Sequence, residues 1–234
     1  MAAAGLTLYE LAAADPALRF SPHCWKTRMA LAHKGLEADC LPWRLTEKAA
    51  IAFSDQSKVP VLVHDGETIV GSWEIALYLD RRFPGLPALF AGEHSIQQAR
   101  AINEWADTVL APAIARIILL DIHDRVHEAD RDYFRASREE RFGQTLEEVV
   151  ADRPARLADF RRELLPLRQI LEASSFVAGA APAYADYCVF GMMMWARCIS
   201  PVELLEPQDP VFDWRDRLLD AFGGMARGAP AVQG

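Results

Sequence analysis

The chain has 234 residues, 51% of them hydrophobic and 25% charged, which is enough apolar material for one large domain or two of ordinary size. A formal charge of -8 argues against a sequence-independent grip on nucleic acid, and no apolar run approaches the ~20 residues that span a bilayer. The cysteines, Cys24, Cys40, Cys188 and Cys198, are too scattered for a disulfide framework, no Cys/His pair has zinc spacing, and Met1–Gly5 lacks a signal peptide's basic region. These features predict a cytoplasmic globular protein with free thiols and no metal. His123 and His127 stand at i, i+4 but read as part of an acidic surface patch.

Leu6–Leu11 alternates apolar and polar side chains and is predicted as a strand. A helix follows over Ser21–His33, with Ser21 at its cap, Pro22 in its first turn and Gly35 behind its end. Cys40–Trp43 reads as a second strand that Pro42 confines to a sheet edge, and Thr46–Phe53 as a short helix. Val59–His64 and Glu67–Val70 are predicted to form a hairpin around Asp65-Gly66. Ser72 is expected to cap the next helix, whose apolar stripe is Ile75, Ala76, Leu79 and Phe83. That order makes a small α/β unit over 1–83.

Residues 84–93 read as a linker around Pro84-Gly85-Leu86-Pro87, and 94–234 as an all-α domain. Helices are expected at Ile96–Asp121, Arg131–Val149, Arg156–Leu171, Ala185–Ile199 and Phe212–Phe222. The Ala/Gly-rich termini are expected to fray.

Four features point to one cleft. Ser21-Pro22-His23-Cys24 opens a helix, where unpaired N–H groups and the dipole favour an anion such as a thiolate, and the Ser21 hydroxyl can donate to it. Val59-Pro60 enters a strand and, with a cis bond, would present backbone polar groups to an extended peptide. Gly71-Ser72 opens a second helix suited to a carboxylate, and Lys58 is placed to pair with another. Taken singly, each is also what an ordinary cap or a solvated lysine looks like. One thiolate site, one strand edge and two carboxylate sites match glutathione.

The pattern strand, Ser21-Pro22, helix, Val59-Pro60-Val61-Leu62, hairpin, Ser72-x-x-Ile75-x-x-Tyr78-Leu79 resembles the glutathione-binding domain of cytosolic glutathione transferases. Lys58–Phe90 is its most specific part, and Pro182-Ala183-Tyr184-Ala185-Asp186-Tyr187 resembles the N-capping motif of that fold's helical domain. Ser21–Thr27, Ala32–Gly35, Gly71-Ser72-Trp73, Arg131-Asp132-Tyr133 and Ser137-Arg138-Glu139 are most similar to the bacterial β-etherase-like and fungal etherase-related branch. The resemblance implies a thioredoxin-like N-terminal domain, a helical C-terminal domain and a two-fold homodimer using Ile69, Trp73 and Ile96. It also implies glutathione as co-substrate, attacking a hydrophobic electrophile; in that branch the attack displaces a phenolate at an aryl-ether carbon. Two positions depart from the family pattern: Gly71 replaces an acidic residue that helps hold the γ-glutamyl amine, and Ala183 replaces the Ser or Thr of the capping motif.

These readings make Ser21 the catalytic residue and Ser21, Lys58, Val59, Pro60, Gly71 and Ser72 the glutathione site. Trp105, Ile114, Ile118 and Met194 are candidates for the second-substrate wall, though such residues are more often plain core. Cys24 is a possible thiol, because Ser21-x-x-Cys24 has thioredoxin-motif spacing and an accessible, acidic Cys24 would support disulfide exchange. Tyr9 is a rival activator, and a non-catalytic ligand carrier is an alternative of another class.

Overall fold

The computed structural model describes residues 5–233; the fraying expected at Met1–Ala4 and Gly234 lies outside them. Strand β1 (Leu6–Leu11) alternates buried and half-buried side chains, as its period-two pattern requires. It runs parallel to β2 (Asp39–Trp43), with Leu8 opposite Cys40, and antiparallel to β3 (Val61–His64), with Leu8 opposite Leu62. A hairpin then joins β3 to β4 (Glu67–Val70) in a sheet of order β2-β1-β3-β4. Asp65 and Gly66 carry φ of 50° and 80° in its turn, a pair of positive values that Asp-Gly tolerates at little cost. β2 is an edge strand, so Pro42 costs the sheet no inner hydrogen bond.

Helix α1 (Pro22–His33) links β1 to β2, and α2 (Ser72–Arg82) follows the hairpin. The short segment after β2 is a 3₁₀ helix over Lys48–Ser54, two residues later at its start than the pattern predicted. Ser72 does not cap α2. It is the first helical residue, and the cap is Gly71, whose φ of 84° suits glycine and which has no side chain to bond the helix end.

The helical half comprises α3 (Glu93–Trp105), α4 (Ala111–Arg125), α5 (Glu128–Phe142), α6 (Leu146–Val149), α7 (Arg153–Glu163), α8 (Leu165–Ala173), α9 (Tyr184–Ile199) and α10 (Pro210–Gly224). The single helix expected over Ile96–Asp121 runs from α3 to α4 through a π turn at Ala106–Leu110. The helix expected over Arg131–Val149 breaks at Gly143, which takes φ of 65°, and restarts at a Thr145–Glu148 capping box. The one expected over Arg156–Leu171 breaks at Leu164, ahead of Pro166, which has no N–H to continue the ladder. His127 caps α5, its Nδ1 accepting from Ala129 N at 3.2 Å, so the His123/His127 spacing belongs to a helix start.

The two halves are tied by polar contacts as well as by packing. Buried Asp130 of α5 accepts from Leu45 N, Thr46 N and Thr46 Oγ1 at 3.1, 2.9 and 2.6 Å, fixing the loop after β2. Tyr184 Oη donates to the Ser72 carbonyl at 2.7 Å, and its ring packs with Trp73 and Phe90. Gly191 lets α9 lie directly on the start of α1: a Cβ there would sit 2.5 Å from the Pro22 carbonyl oxygen.

At the start of α9, Ala183 cannot return a capping bond, and Asp186 carries the motif alone. Its buried carboxylate accepts from Ala183 N, Val177 N, Ala178 N and Trp214 Nε1 at 3.1, 2.7, 3.2 and 2.9 Å. Those donors come from three segments, so the lost hydroxyl is offset by tertiary partners.

Candidate functional site

Two adjoining cavities lie between the halves. The smaller, about 330 Å³, runs along the entry to β3 and the start of α2 and is lined by Lys58, Val59, Pro60, Gly71, Ser72 and Glu74, among others. The larger, about 540 Å³, opens at the start of α1, where Ser21, Pro22 and His23 face α4, α5 and Trp195. His23 and Asp107 line both, so they stand at the junction. The sequence brought all the candidate residues to one cleft; the structure seats Ser21 in the larger cavity and the other five in the smaller.

The local chemistry of Ser21 follows from its cap position. Its Oγ accepts from Cys24 N at 3.3 Å, which leaves the hydroxyl proton free to be donated elsewhere. Pro22 has no N–H and Trp25 N is taken by the Ser21 carbonyl, so His23 N is the amide of this first turn without an intrahelical acceptor. The Ser21 side chain therefore shares a helix N-terminus with an open backbone donor and the positive end of the dipole.

The Val59–Pro60 bond is cis, and Gly71 N donates to the Pro60 carbonyl at 3.0 Å, joining the start of α2 to the strand entry. Ser72 is 7% exposed, whereas Gly71 and Lys58 are exposed. Glu74 reaches this cavity despite its place inside α2.

At the junction, the fully buried ammonium of Lys26 lies 2.7 Å from Asp107 Oδ1 and 2.8 Å from Asn103 Oδ1. Asn103 Nδ2 donates to the other Asp107 oxygen at 3.1 Å. His23 Nδ1 is 3.9 Å from Asp107, with 43% of its side chain open to the cleft. The surrounding protein mass, together with the Lys26 and Lys58 ammonium groups, pushes its pKa down to about 4. His23 is consequently neutral at physiological pH.

Cys24 meets neither condition set for a reactive thiol. It is fully buried, and burial raises its pKa to about 12 with the Glu10 carboxylate adding to the effect. Tyr9 packs its ring against Phe53 at 5.5 Å and lines neither cavity. The proposed wall is also corrected: Ile114, Ile118 and Met194 are fully buried in the core, and Trp105 packs against that core. The larger cavity is lined instead by Ala111, Ala115 and Leu119 of α4 and by Trp195 of α9. Ala115, Leu119 and Trp195 each lie one position along from a predicted residue, and Ala115 and Leu119 are themselves buried, so the cavity is cut into the edge of the core.

His23 was visible inside the Ser21–Cys24 motif without being singled out. Asn103 and Asp107 carried a weak signal in their i, i+4 spacing. Of the other charged residues that line the larger cavity, Arg138 stood in the Ser137-Arg138-Glu139 motif without being given a site role, and Arg116 and Arg141 had no signal.

The family described as "Glutathione S-transferase, C-terminal domain" matches residues 98–220, and "Glutathione S-transferase, N-terminal domain" matches 20–82. The chain belongs to the glutathione S-transferase family. A "Probable glutathione S-transferase GSTU1" of Oryza sativa is 36% identical over 97 residues, which span 38% of this chain and 42% of the rice protein. The glutathione transferase omega-1 of Caenorhabditis elegans is 26% identical over 178 residues, 74% of this chain and 59% of that protein. The match thus spans about two fifths to three fifths of those relatives' lengths.

Among solved structures, the glutathione transferase GSTFuA3 of Phanerochaete chrysosporium superposes with a TM-score of 0.82 at 20% identity, covering 92% of this chain and 96% of that one. A glutathione S-transferase of Ceriporiopsis subvermispora, crystallised in complex with glutathione, gives 0.78 at 22% identity over 93% and 96%. Both share the glutathione S-transferase fold with this chain: a four-stranded thioredoxin-like domain followed by a helical domain. Among the described residues no helix is long and apolar enough to cross a membrane.

Proposed function

We propose that this protein is a cytoplasmic glutathione transferase: it activates the glutathione thiol at Ser21 and directs it at a second substrate in the larger cavity. The observation that carries the reading is the junction itself. A cleft along a strand entry, with Lys58, Ser72 and Glu74 in its lining, opens past His23 and Asp107 onto a second cavity at the capped start of α1. Residues 1–83 would serve as the glutathione-binding domain, 84–93 as the linker and 94–234 as the domain that shapes the second pocket.

In this reading the glutathione backbone lies along Val59 and Pro60, with one carboxylate at the amide end of α2 by Gly71 and Ser72 and the other near Lys58. Gly71 supplies no carboxylate for the amine, and the exposed Glu74, which lines the same cleft, takes that part. The sulfur lies at Ser21, where the hydroxyl, the His23 N–H and the helix dipole favour the thiolate. The thiol proton leaves to solvent. Lowering the thiol pKa by about two units from ~8.5 corresponds to ~2.7 kcal/mol of preferential stabilisation of the thiolate. The thiolate then forms a C–S bond at an electrophilic carbon while the leaving group departs with its electron pair.

The Ser21–Thr27 and Ser137–Glu139 motifs favour an aryl ether as electrophile, with a phenolate leaving. For a two-fold dimer, Trp73 and Ile96 retain accessible surface, whereas Ile69 is 8% exposed and belongs to the core.

The test is an ultraviolet titration of protein-bound glutathione in the natural protein, Ser21→Ala and Cys24→Ser. Thiolate formation below neutral pH, lost in Ser21→Ala alone, is the expected result. Glutathione that fails to bind, or binds with an unshifted thiol in all three, would overturn the assignment and leave a ligand carrier.

A further inference from the structure

The larger cavity carries a charge that its role as an apolar pocket does not require. Its aromatic and aliphatic lining includes Phe20, Phe134, Phe142 and Trp195, yet Arg116, Arg138 and Arg141 line it as well. Among the described residues no carboxylate lies within 4.0 Å of any of these three guanidinium groups, while eleven of the chain's eighteen other arginines have such a partner. Two of the three are held in place by other means, and Arg141 is exposed at the cavity rim. Arg116 stacks over the Phe142 ring at 5.3 Å and Arg138 over Phe134 at 4.7 Å, and Arg138 Nη1 donates to Ser137 Oγ at 2.9 Å.

The remaining charges do not cancel them. Asp107 is the one acidic residue lining the cavity, and Lys26 already neutralises it at 2.7 Å. His23 is neutral there. On α5, Glu139 is committed to Arg135 at 2.9 Å and to Leu146 N at 3.2 Å. Burial, and then the charge of neighbouring Arg141, hold the Arg138 pKa below its ordinary value, although a guanidinium stays charged at any physiological pH. In a chain of net charge -8, three cations without carboxylate partners on one largely apolar cavity call for an anion.

We propose that the second substrate is an aromatic electrophile bearing an anionic group such as a carboxylate, which Arg116, Arg138 and Arg141 hold while the reactive carbon faces Ser21. The inference rests on the transferase reading above and names its substrate class. Arginine forks bind carboxylates through paired, charge-assisted hydrogen bonds, and a cavity partly closed to water strengthens them. The aromatic walls receive the ring.

Two matched pairs of small molecules test this. The reactive pair is 4-chloro-3-nitrobenzoate and 4-chloro-3-nitrobenzamide. In both, the glutathione thiolate forms a C–S bond at the chlorinated carbon, the C–Cl bond breaks and chloride leaves with the electron pair. The unreactive pair, 3-nitrobenzoate and 3-nitrobenzamide, is titrated by calorimetry in the presence of glutathione.

With kcat/KM divided by each uncatalysed rate, the natural protein is expected to favour the benzoate by about tenfold or more. The preference should narrow as salt rises, fall toward unity in Arg138→Gln and Arg116→Gln, and persist in part in Arg138→Lys. If neither electrophile reacts but 3-nitrobenzoate still binds more tightly through Arg138, the anion site stands and the transferase reading falls. Equal binding of 3-nitrobenzoate and 3-nitrobenzamide overturns the proposal. So does a benzoate preference unchanged in both glutamine variants, or a loss of glutathione affinity matching the loss of benzoate affinity, which would assign the arginines to glutathione itself.

Discussion

The two cavities share His23 and Asp107 but are built in different ways. The smaller one is made largely from short contiguous stretches, Lys58–Pro60 and Val70–Glu74, whose backbone turns and helix start supply its polar groups. The larger one is made from faces of helices distant in sequence, with Arg116 on α4, Arg138 and Arg141 on α5 and Trp195 on α9. A site built from local backbone keeps its polar groups whatever the side chain: Gly71 has none, yet its N–H still donates to the Pro60 carbonyl at 3.0 Å. A site built from helix faces depends on how each helix is rotated and on which buried contacts hold it there.

Four changes would break or sharpen that contrast. The largest effect is expected at the junction. Asp107→Ala strips the carboxylate from the fully buried Lys26 and leaves Asn103 as its one polar partner. We expect a loss of about 3–5 kcal/mol in urea unfolding, with both cavities disturbed, because an unpaired buried charge costs more than the pair contributes. A destabilisation below about 1 kcal/mol would mean that the two cavities do not depend on this pair.

Next come two buried positions of α4: Ile114, which lines neither cavity, and Leu119, which lines the larger one. Ile114 is fully buried, so Ile114→Ala should cost about 2–5 kcal/mol by thermal unfolding with little change in ligand affinity relative to the folded fraction. Leu119, buried too but lining the larger cavity, should lose stability and also change affinity for aromatic ligands when truncated. The same ligand response from both would erase the distinction between core face and pocket face.

Ser21 should show a smaller, separable effect. Ser21→Ala loses the cap bond to Cys24 N, about 1 kcal/mol, together with the donated hydroxyl proton. Ser21→Asp keeps a capping acceptor but presents a negative charge to the sulfur. The aspartate variant should therefore retain thermal stability while failing to form bound glutathione thiolate. Loss of stability in both would mark the serine as structural only.

The smallest effect is the titration of His23. Its folded pKa of about 4 lies below the ~6.5 of an unfolded chain, so the unfolded state takes up the extra proton first as pH falls. The associated stability is fully present above pH ~6.5, declines as pH falls toward about 4 and is level below that. With 43% of the side chain open, solvent screening keeps the loss small. An imidazole resonance titrating near 4 and assigned to His23 would support this; one near 6.5 would not.

Much of the smaller cavity was legible because its signals are local. Pro22 in a first turn, Asp-Gly in a hairpin and a proline at a strand entry each restrict the backbone of their immediate neighbours. Gly71 shows the limit. A serine beside a helix start looks like its cap, but the positive φ there suits glycine and moves Ser72 into the first turn. Helix breaks were missed for a related reason: periodicity runs on through Gly143 and Leu164, while the chain stops where a left-handed residue or a missing N–H stops it.

The sequence by itself determined the order of the strands and of the two helices among them, the strand entry at Val59-Pro60, and the capped start of α1 at Ser21, because these follow from dihedral preferences and periodicity over a few residues. Tertiary structure decided the rest. It buried Cys24 beyond reach, turned Ile114 and Ile118 into the core and left Arg116, Arg138 and Arg141 without carboxylate partners among the described residues. Burial and charge pairing depend on elements far apart in the chain, so no short stretch of sequence carries them.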